Sequence, residues 1–452
     1  MKIPTNNISI LKKIITLALP IMLQAFLVNG VSFVDTLMIG QLGADSIAAI
    51  GVAAQLFFII TMLLNGIAAG AGIFISQYWG AKNNKGIQRV LGISISFTIL
   101  CTGIIAIYTT IFPQTIMKLF THETAIIEGG NTYLRFVGFS YVLTGISFMY
   151  GVGLRSTNDT KTPLRISLIS LSVDVVGNYL LIFGIGIFPE LGIAGGAIST
   201  SLSRLVELCL FIIVTNKRKD CPIRFSLKNS LKFDKRFSKK FFKTTTPVII
   251  NDIFWGLGFV CYRIAYAKIG TEALAAVQII ATIENLFLIL IQGYAGAVAI
   301  IIGQLIGANK EHEVQIYSSI SLRFSIFTGV LVGLLIVLIS PIFVSLFNID
   351  ETVYQLSIKS LIMIAFQLPL VSFNIAAIVG LLRAGGDTKY TMYLELTTIW
   401  IVGVPLAFIG VLFWHLSLPQ AYLLVGIEEL LKTILAMQRI KSGKYIHNLI
   451  RK

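Results

Sequence analysis

Acids and their polar neighbours interrupt stretches of sequence that are otherwise apolar. Asp35 lies toward the end of the run 14–38, Asp174 near the middle of 164–187, Asn178 one helical turn further on, and Thr200 within 192–215. These four offer oxygen ligands, plus an amide nitrogen that can turn away. Such a set suits Na+, or a carboxylate that exchanges a proton. The plainer alternative is that Asp35 lies near enough to the outer surface to be hydrated and merely caps its span. A second group comprises Asn251, Asp252 and Trp255 in the run 242–268 and Glu284 in 274–307. An acid among aromatic rings attracts a lipophilic cation through charge and ring quadrupole together, which makes these candidate substrate contacts. The plainer reading is an acid bonded to Asn or to backbone inside the bundle. Arg204 with Glu207 (three apart) and Glu428 with Lys432 (four apart) read as internal charge pairs, because breaking such a pair strands a buried charge. Glu429 and Glu395 are the remaining acids at depth, while Arg263 and Lys268 near the outer end of 242–268 read as snorkelling.

The elements that position these residues must be membrane spans. Of the 452 residues 56% are hydrophobic and 13% charged, with a mean hydropathy of +0.85. A soluble chain carries about 25% charged residues, and a soluble fold of this size could not hide so much apolar surface. Twelve runs are long enough to cross a bilayer, near 14–38, 46–78, 90–112, 133–154, 164–187, 192–215, 242–268, 274–307, 317–346, 355–381, 392–414 and 417–438. Lipid offers the backbone no hydrogen bonds, so these spans must be helices despite their Ile and Val content. The short alternating segments of a transmembrane β-barrel are missing. The start of the chain reads as a retained first helix rather than a signal peptide, since no A-x-A-like site follows its apolar run.

Placing both termini in the cytoplasm puts 29 Lys and Arg inside and four outside, a decisive split. The expected organisation is an amino-terminal six-helix lobe (1–215), a basic cytoplasmic linker (216–241), a carboxy-terminal six-helix lobe (242–440) and a basic tail (441–452). The linker region holds eleven basic residues between Lys217 and Lys243, with Phe233, Phe237 and Phe241 at helical spacing. An amphipathic helix on the anionic inner leaflet is expected there, acting as tether and topology signal.

The halves repeat. At a shift of 227, Pro20 meets Pro247, Gly43 meets Gly270, Gly66 meets Gly293, and SQYWGAK (from Ser76) meets GQLIGAN (from Gly303). At 228, LRSTNDTK (from Leu154) meets LRAGGDTK (from Leu382), and Arg204 meets Lys432. Each half holds an even number of spans, so the repeats run parallel, an arrangement of transporters that rock one half against the other. Pro20 and Pro247 inside apolar runs are candidate hinges. Gly66 with Gly70 and Gly192 with Gly196 give spacings that let helices approach closely.

Enzyme chemistry finds no support. All four histidines (His122, His312, His415, His447) fall in loops or at span ends, no HExxH is completed, and no phosphate loop exists for ATP. The four cysteines are scattered, without metal or disulfide spacing. No cofactor and no nucleic-acid partner are expected.

The order and repetition of LALP (Leu17 to Pro20), VDTLMIGQLG (ending at Gly43), SQYWGAKN, GNYLLIFG, LRSTNDTKTP and LRAGGDTK resemble the MATE family of multidrug and toxic-compound extrusion transporters across essentially the whole chain. The resemblance implies an all-α membrane protein of twelve helices, in two six-helix lobes around a central cleft. It further implies antiport, in which entry of Na+ or H+ drives export of amphipathic, often cationic compounds. Asp35 would be the first-helix acid, Asp174 and Asn178 the fifth-helix polar pair, and Thr200 the sixth-helix hydroxyl. Here the pair runs Asp then Asn, where several members carry Asn then Asp. The tenth-span acid is absent, with Gln367 and Asn374 the nearest polar residues, which favours coupling through the amino-terminal lobe. The expected setting is a bacterial plasma membrane, with the chain a monomer among lipids. The competing reading is a flippase for a lipid-linked sugar or cell-wall precursor. That would need a strongly cationic cleft, and the central spans offer mainly Arg204 and Lys432, each with acids close by.

Overall fold

Helices form wherever the apolar runs stand, because each backbone N–H then finds its carbonyl within its own segment. The computed structural model describes residues 7–218, 220–224, 234–347 and 349–451, and among these there is no strand. The first half comprises α1 (Asn7–Gly40), α2 (Ala44–Gly80), α3 (Asn84–Ile111), the short α4 (Pro113–Lys118), α5 (Thr124–Val137), α6 (Ser140–Ser156), α7 (Lys161–Phe183) and α8 (Gly192–Lys217). The second comprises α9 (Lys235–Ala267), α10 (Thr271–Gly307), α11 (Glu311–Val344), α12 (Glu351–Ile375), α13 (Thr388–Thr397), α14 (Val404–Leu412) and α15 (Leu418–Lys441). Two π-helical segments, Ala376–Arg383 and Thr398–Gly403, continue α12 and join α13 to α14.

Among the described residues ten helices are long and apolar enough to cross a membrane, eleven if α5 and α6, bent by 50° at their junction, count as one. At that junction a Cβ on Gly138 would stand 2.8 Å from the hydroxyls of Thr109 and Thr110, so the glycine lets α3 lie against the bend. The last apolar run, α15, carries Glu428, Glu429 and Lys432 within its length, and these charges set it apart from the ten.

The chain divides into two compact units, Leu23–Ile249 and Met1–Met22 with Ile250–Lys452. The divisions cut α1 and α9 two residues after Pro20 and Pro247, at positions 227 apart. In the amino-terminal unit a Cβ on Gly66 would fall 2.6 Å from Ile249 Cα, and one on Gly70 would collide with Thr245. In the carboxy-terminal unit a Cβ on Gly293 would fall 2.5 Å from Met22 Cγ. Gly66 and Gly293 are equivalent under the shift, and so are Ile249 and Met22. Each unit thus receives the leading end of a helix against a glycine of α2 or α10, the close approach that small residues permit between membrane helices.

The halves also agree in backbone detail. Helices α2 and α10 both have 37 residues, and the residues that follow them, Ala81 and Ala308, have φ of −80° and −81°. Next come Lys82 and Asn309, left-handed at φ 56° and 57°. The glycine position of the LRAGGDTK motif repeats too: Asn158 has φ 70° and Gly386 φ 89°.

One expectation changes. Phe233 lies outside the described residues, but Phe237 and Phe241 belong to the first turns of α9 rather than to a helix lying on lipid. Phe241 is fully buried, its ring 5.7 Å from that of Phe74, so in the described residues the aromatic spacing serves packing within the amino-terminal unit. The basic tail packs on the carboxy-terminal unit. Tyr445 is buried with its hydroxyl 2.9 Å from that of Ser318, and His447 N–H donates to Gly385 O at 2.8 Å. Its apolar ring outweighs the charge around it.

Candidate functional site

In the amino-terminal unit, α1, α7 and α8 bring the predicted quartet together. Asp174 and Asn178, 2% and 1% exposed, lie on one face of α7, a turn apart. Asn178 Nδ2 donates to Asp35 Oδ1 at 2.8 Å, and Thr200, Ser203 and Asp35 all stand close to the Asp174 carboxyl. Ser199 Oγ donates to the backbone carbonyl of Asp174 at 2.9 Å, which fixes α8 against α7. Gly177 supports the same contact, since a Cβ there would strike Ser199. Asp174 Oδ1 and Asn178 Oδ1 are buried oxygens without a donor. Buried acceptors are nearly always satisfied, and these two stand without a donor beside a second carboxylate, Asp35.

Arg204 extends the cluster inward. Its Nη1 pairs with Glu207 Oε2 at 3.1 Å, while Asp174 and Asp35 lie within its electrostatic reach. From Glu207 the polar contacts continue through Ser167 Oγ at 3.5 Å to Gln24 Nε2, which donates to Ser167 at 2.8 Å; Arg155 Nη1 donates to Gln24 Oε1 at 3.2 Å. Tyr133 of α5 adds a hydroxyl beside Thr200, close to both acids. A lone Tyr in a span carries no signal that separates it from packing, so the sequence alone passes over it.

The second predicted group falls in the carboxy-terminal unit and does not form one cluster. Asp252 Oδ1 accepts from Arg383 Nη1 at 2.8 Å, and Arg383 Nη2 reaches Glu395 Oε2 at 2.8 Å. Asn251 Nδ2 donates to the same Glu395 oxygen. The carboxylate of Asp252 therefore already holds a guanidinium. Counting charges by side of the membrane had placed Arg383 in the loop after the tenth span; it ends a π-helical segment and is 8% exposed. Trp255 packs on Phe259 with ring centroids 4.4 Å apart. Glu284 of α10 lies within electrostatic reach of Tyr266, Tyr422 and Arg263, and the two tyrosine rings lie 4.7 Å apart. Lys432 bridges Glu428 and Glu429, the latter at 2.8 Å. No group of three or more His, Cys, Asp or Glu among the described residues is arranged to hold a metal ion, and the four cysteines are free.

The described residues thus make a multi-pass helical fold with acids buried among its helices. One family model, MatE, matches twice, over residues 20–180 and 247–409, once in each half, and the chain belongs to that family of multidrug efflux transporters. The uncharacterized transporter YisQ of Bacillus subtilis (strain 168) is 25% identical over 431 residues, covering 95% of this chain and 94% of that one. The probable multidrug resistance protein NorM of Thermotoga maritima is 26% identical over 443 residues, covering 96% and 93%. Among solved structures, the D35N mutant of the Vibrio cholerae MATE transporter VcmN superposes with a TM-score of 0.88 at 17% identity, over 98% of this chain and 99% of that one. A MOP superfamily transporter from Pyrococcus furiosus, described as having a binding pocket of reverse polarity, gives 0.86 at 18% identity, over 98% and 100%.

Proposed function

We propose that the chain is a secondary antiporter of the bacterial plasma membrane, with twelve spans counting α15 and both termini in the cytoplasm. It exports amphipathic, cationic compounds in exchange for Na+ or H+ by alternating access of its two lobes. One observation carries the reading: Asp174 Oδ1 and Asn178 Oδ1 are buried without donors beside Asp35. A cation arriving there satisfies both orphans. Its departure leaves uncompensated carboxylate charge in a low-dielectric site, which costs several kcal/mol. Empty and occupied states therefore favour different packings of α1, α7 and α8, and Pro20 gives α1 a point at which to bend. One net charge crossing 100 mV supplies about 2.3 kcal/mol, roughly a fiftyfold gradient, enough for efflux.

Glu284 among its tyrosines remains the substrate candidate, with Trp255 on the preceding helix α9. Asp252 and Asn251 are instead engaged by Arg383 and Glu395. The decisive measurement is dye efflux in inside-out vesicles with a Na+ gradient and a pH gradient imposed separately. Dye movement driven by one gradient and abolished in Asp35→Asn is expected; movement that ignores both gradients would refute antiport.

A further inference from the structure

The repeat shift sets a second cluster beside the first. Under 227, Asp35 corresponds to Tyr262; under 228, Thr200 corresponds to Glu428 and Arg204 to Lys432. In the carboxy-terminal unit these three residues meet. The Tyr262 hydroxyl donates to Glu428 Oε2, and Lys432 pairs with the other Glu428 oxygen. The acid and the hydroxyl have changed places between the equivalent helices: acid on α1 and hydroxyl on α8 in one unit, hydroxyl on α9 and acid on α15 in the other. The basic residue keeps its place one turn along. We propose that the carboxy-terminal unit carries a second proton-exchanging carboxylate, Glu428, at the place in its repeat that Thr200 holds in the other.

Three further observations point to a built site. Gly403, closing the π-helical segment Thr398–Gly403, has no Cβ where one would strike both Tyr262 Oη and Glu428 Oε2. π-helical segments frequently mark functional sites, and this one brings bare backbone up to the pair. The charges around Glu428 do not balance. Lys432 faces Glu428 and Glu429, and Arg383 faces Asp252 and Glu395, with Glu395 also within electrostatic reach of Lys432. Two cations against four carboxylates leave two negative charges, and buried charge without a counter-ion is held only at high cost. Finally, Asn251 Oδ1, 1% exposed and attached through its amide nitrogen to Glu395, has no donor.

Glu428 rather than Glu429 is assigned the exchange. Glu429 Oε2 already accepts from Asn374 Nδ2 at 2.7 Å, and Thr433 locks Asn374 in turn at 2.9 Å. Glu428 is met by one hydroxyl and a shared ammonium, and it is 2% exposed. The ligand assigned is a proton, because Lys432 and the Tyr262 hydroxyl already occupy the two Glu428 oxygens. It comes from water onto a Glu428 oxygen, and Tyr262 Oη accepts or donates accordingly.

Infrared difference spectroscopy on the full purified chain, between acid and alkaline buffer with no gradient and no drug, tests this directly. The wild type should show a carboxylic C=O band that Glu428→Gln loses and Asp35→Asn retains. Tyr262→Phe, which keeps the acid, should shift that band and its pH midpoint. An unchanged spectrum in both Glu428→Gln and Tyr262→Phe overturns the proposal, and so does a band that Na+ at constant pH abolishes. Because no transport is measured, failure here leaves the antiport reading standing, and failure of antiport leaves this one.

Discussion

Asn178 presents its amide hydrogen to Asp35 across 2.8 Å while its own carbonyl oxygen stays without a donor. One side chain thus orients the acid on α1 and offers a ligand atom to whatever visits it. Asp35→Asn removes the exchanging charge, so gradient-driven dye efflux should be abolished while the protein remains in the membrane fraction at wild-type level. Asn178→Ala should lower the rate less severely, since Asp35 and Asp174 both remain. Efflux assays paired with immunoblots of the membranes check both outcomes.

Arg204 and Glu207 test whether a charge pair holds the unit together. Either Arg204→Gln or Glu207→Gln alone strands the partner, and breaking a buried pair costs about 3–5 kcal/mol. Replacing both by Leu should recover most of that stability. Transport should not recover, because Arg204 also faces Asp174. Thermal unfolding in detergent reads the first effect and efflux the second.

Asp35, Asp174, Asn178 and Thr200 were legible because charge at depth stands out against an apolar background, and the repeat because Gly and Pro punctuate both halves at one shift. Arg383 was not. Counting basic residues by side assigns everything beyond a hydropathy run to a loop, whereas a π-helical segment carries Arg383 back to Asp252 and Glu395. Tyr262 and Tyr133 were equally hidden, since hydroxyls on aromatic rings look like packing until their partners are known. Tyr445 was hidden too, one buried ring among five basic residues from Arg439 onward.

Gly66 and Gly293 should be intolerant in parallel. A side chain at either must displace Ile249 or Met22, and overpacking costs typically about 1–3 kcal/mol. Gly66→Leu and Gly293→Leu should each lower the melting temperature, whereas Gly103→Leu, where a Cβ meets nothing within 4 Å, should not. Fluorescence-monitored melting distinguishes the three.

The docked tail should respond to alkali. Burial pushes the Tyr445 phenol up from its ordinary value, so the protonated form is the one that docks. Its contribution is complete below the phenol's ordinary pKa and is lost as pH rises through the raised value. Tyr445→Phe should remove that dependence at the cost of one hydrogen bond, about 1 kcal/mol. Limited proteolysis of the tail across an alkaline pH series would show it.

Because the division between units falls inside α1 and α9, order of synthesis matters. Ile10, Ile14 and Leu17 leave the ribosome long before their partners, since the buried cluster they join includes Tyr294, Ala297, Ile301 and Ala376. The opening turns of the chain must therefore wait in the bilayer for partners translated hundreds of residues later, while the stretch from Leu23 to Ile249 can settle first. A ribosome stalled before α10 would leave an amino-terminal unit formed in the membrane, with a greasy leading end still unattached and open to proteolysis.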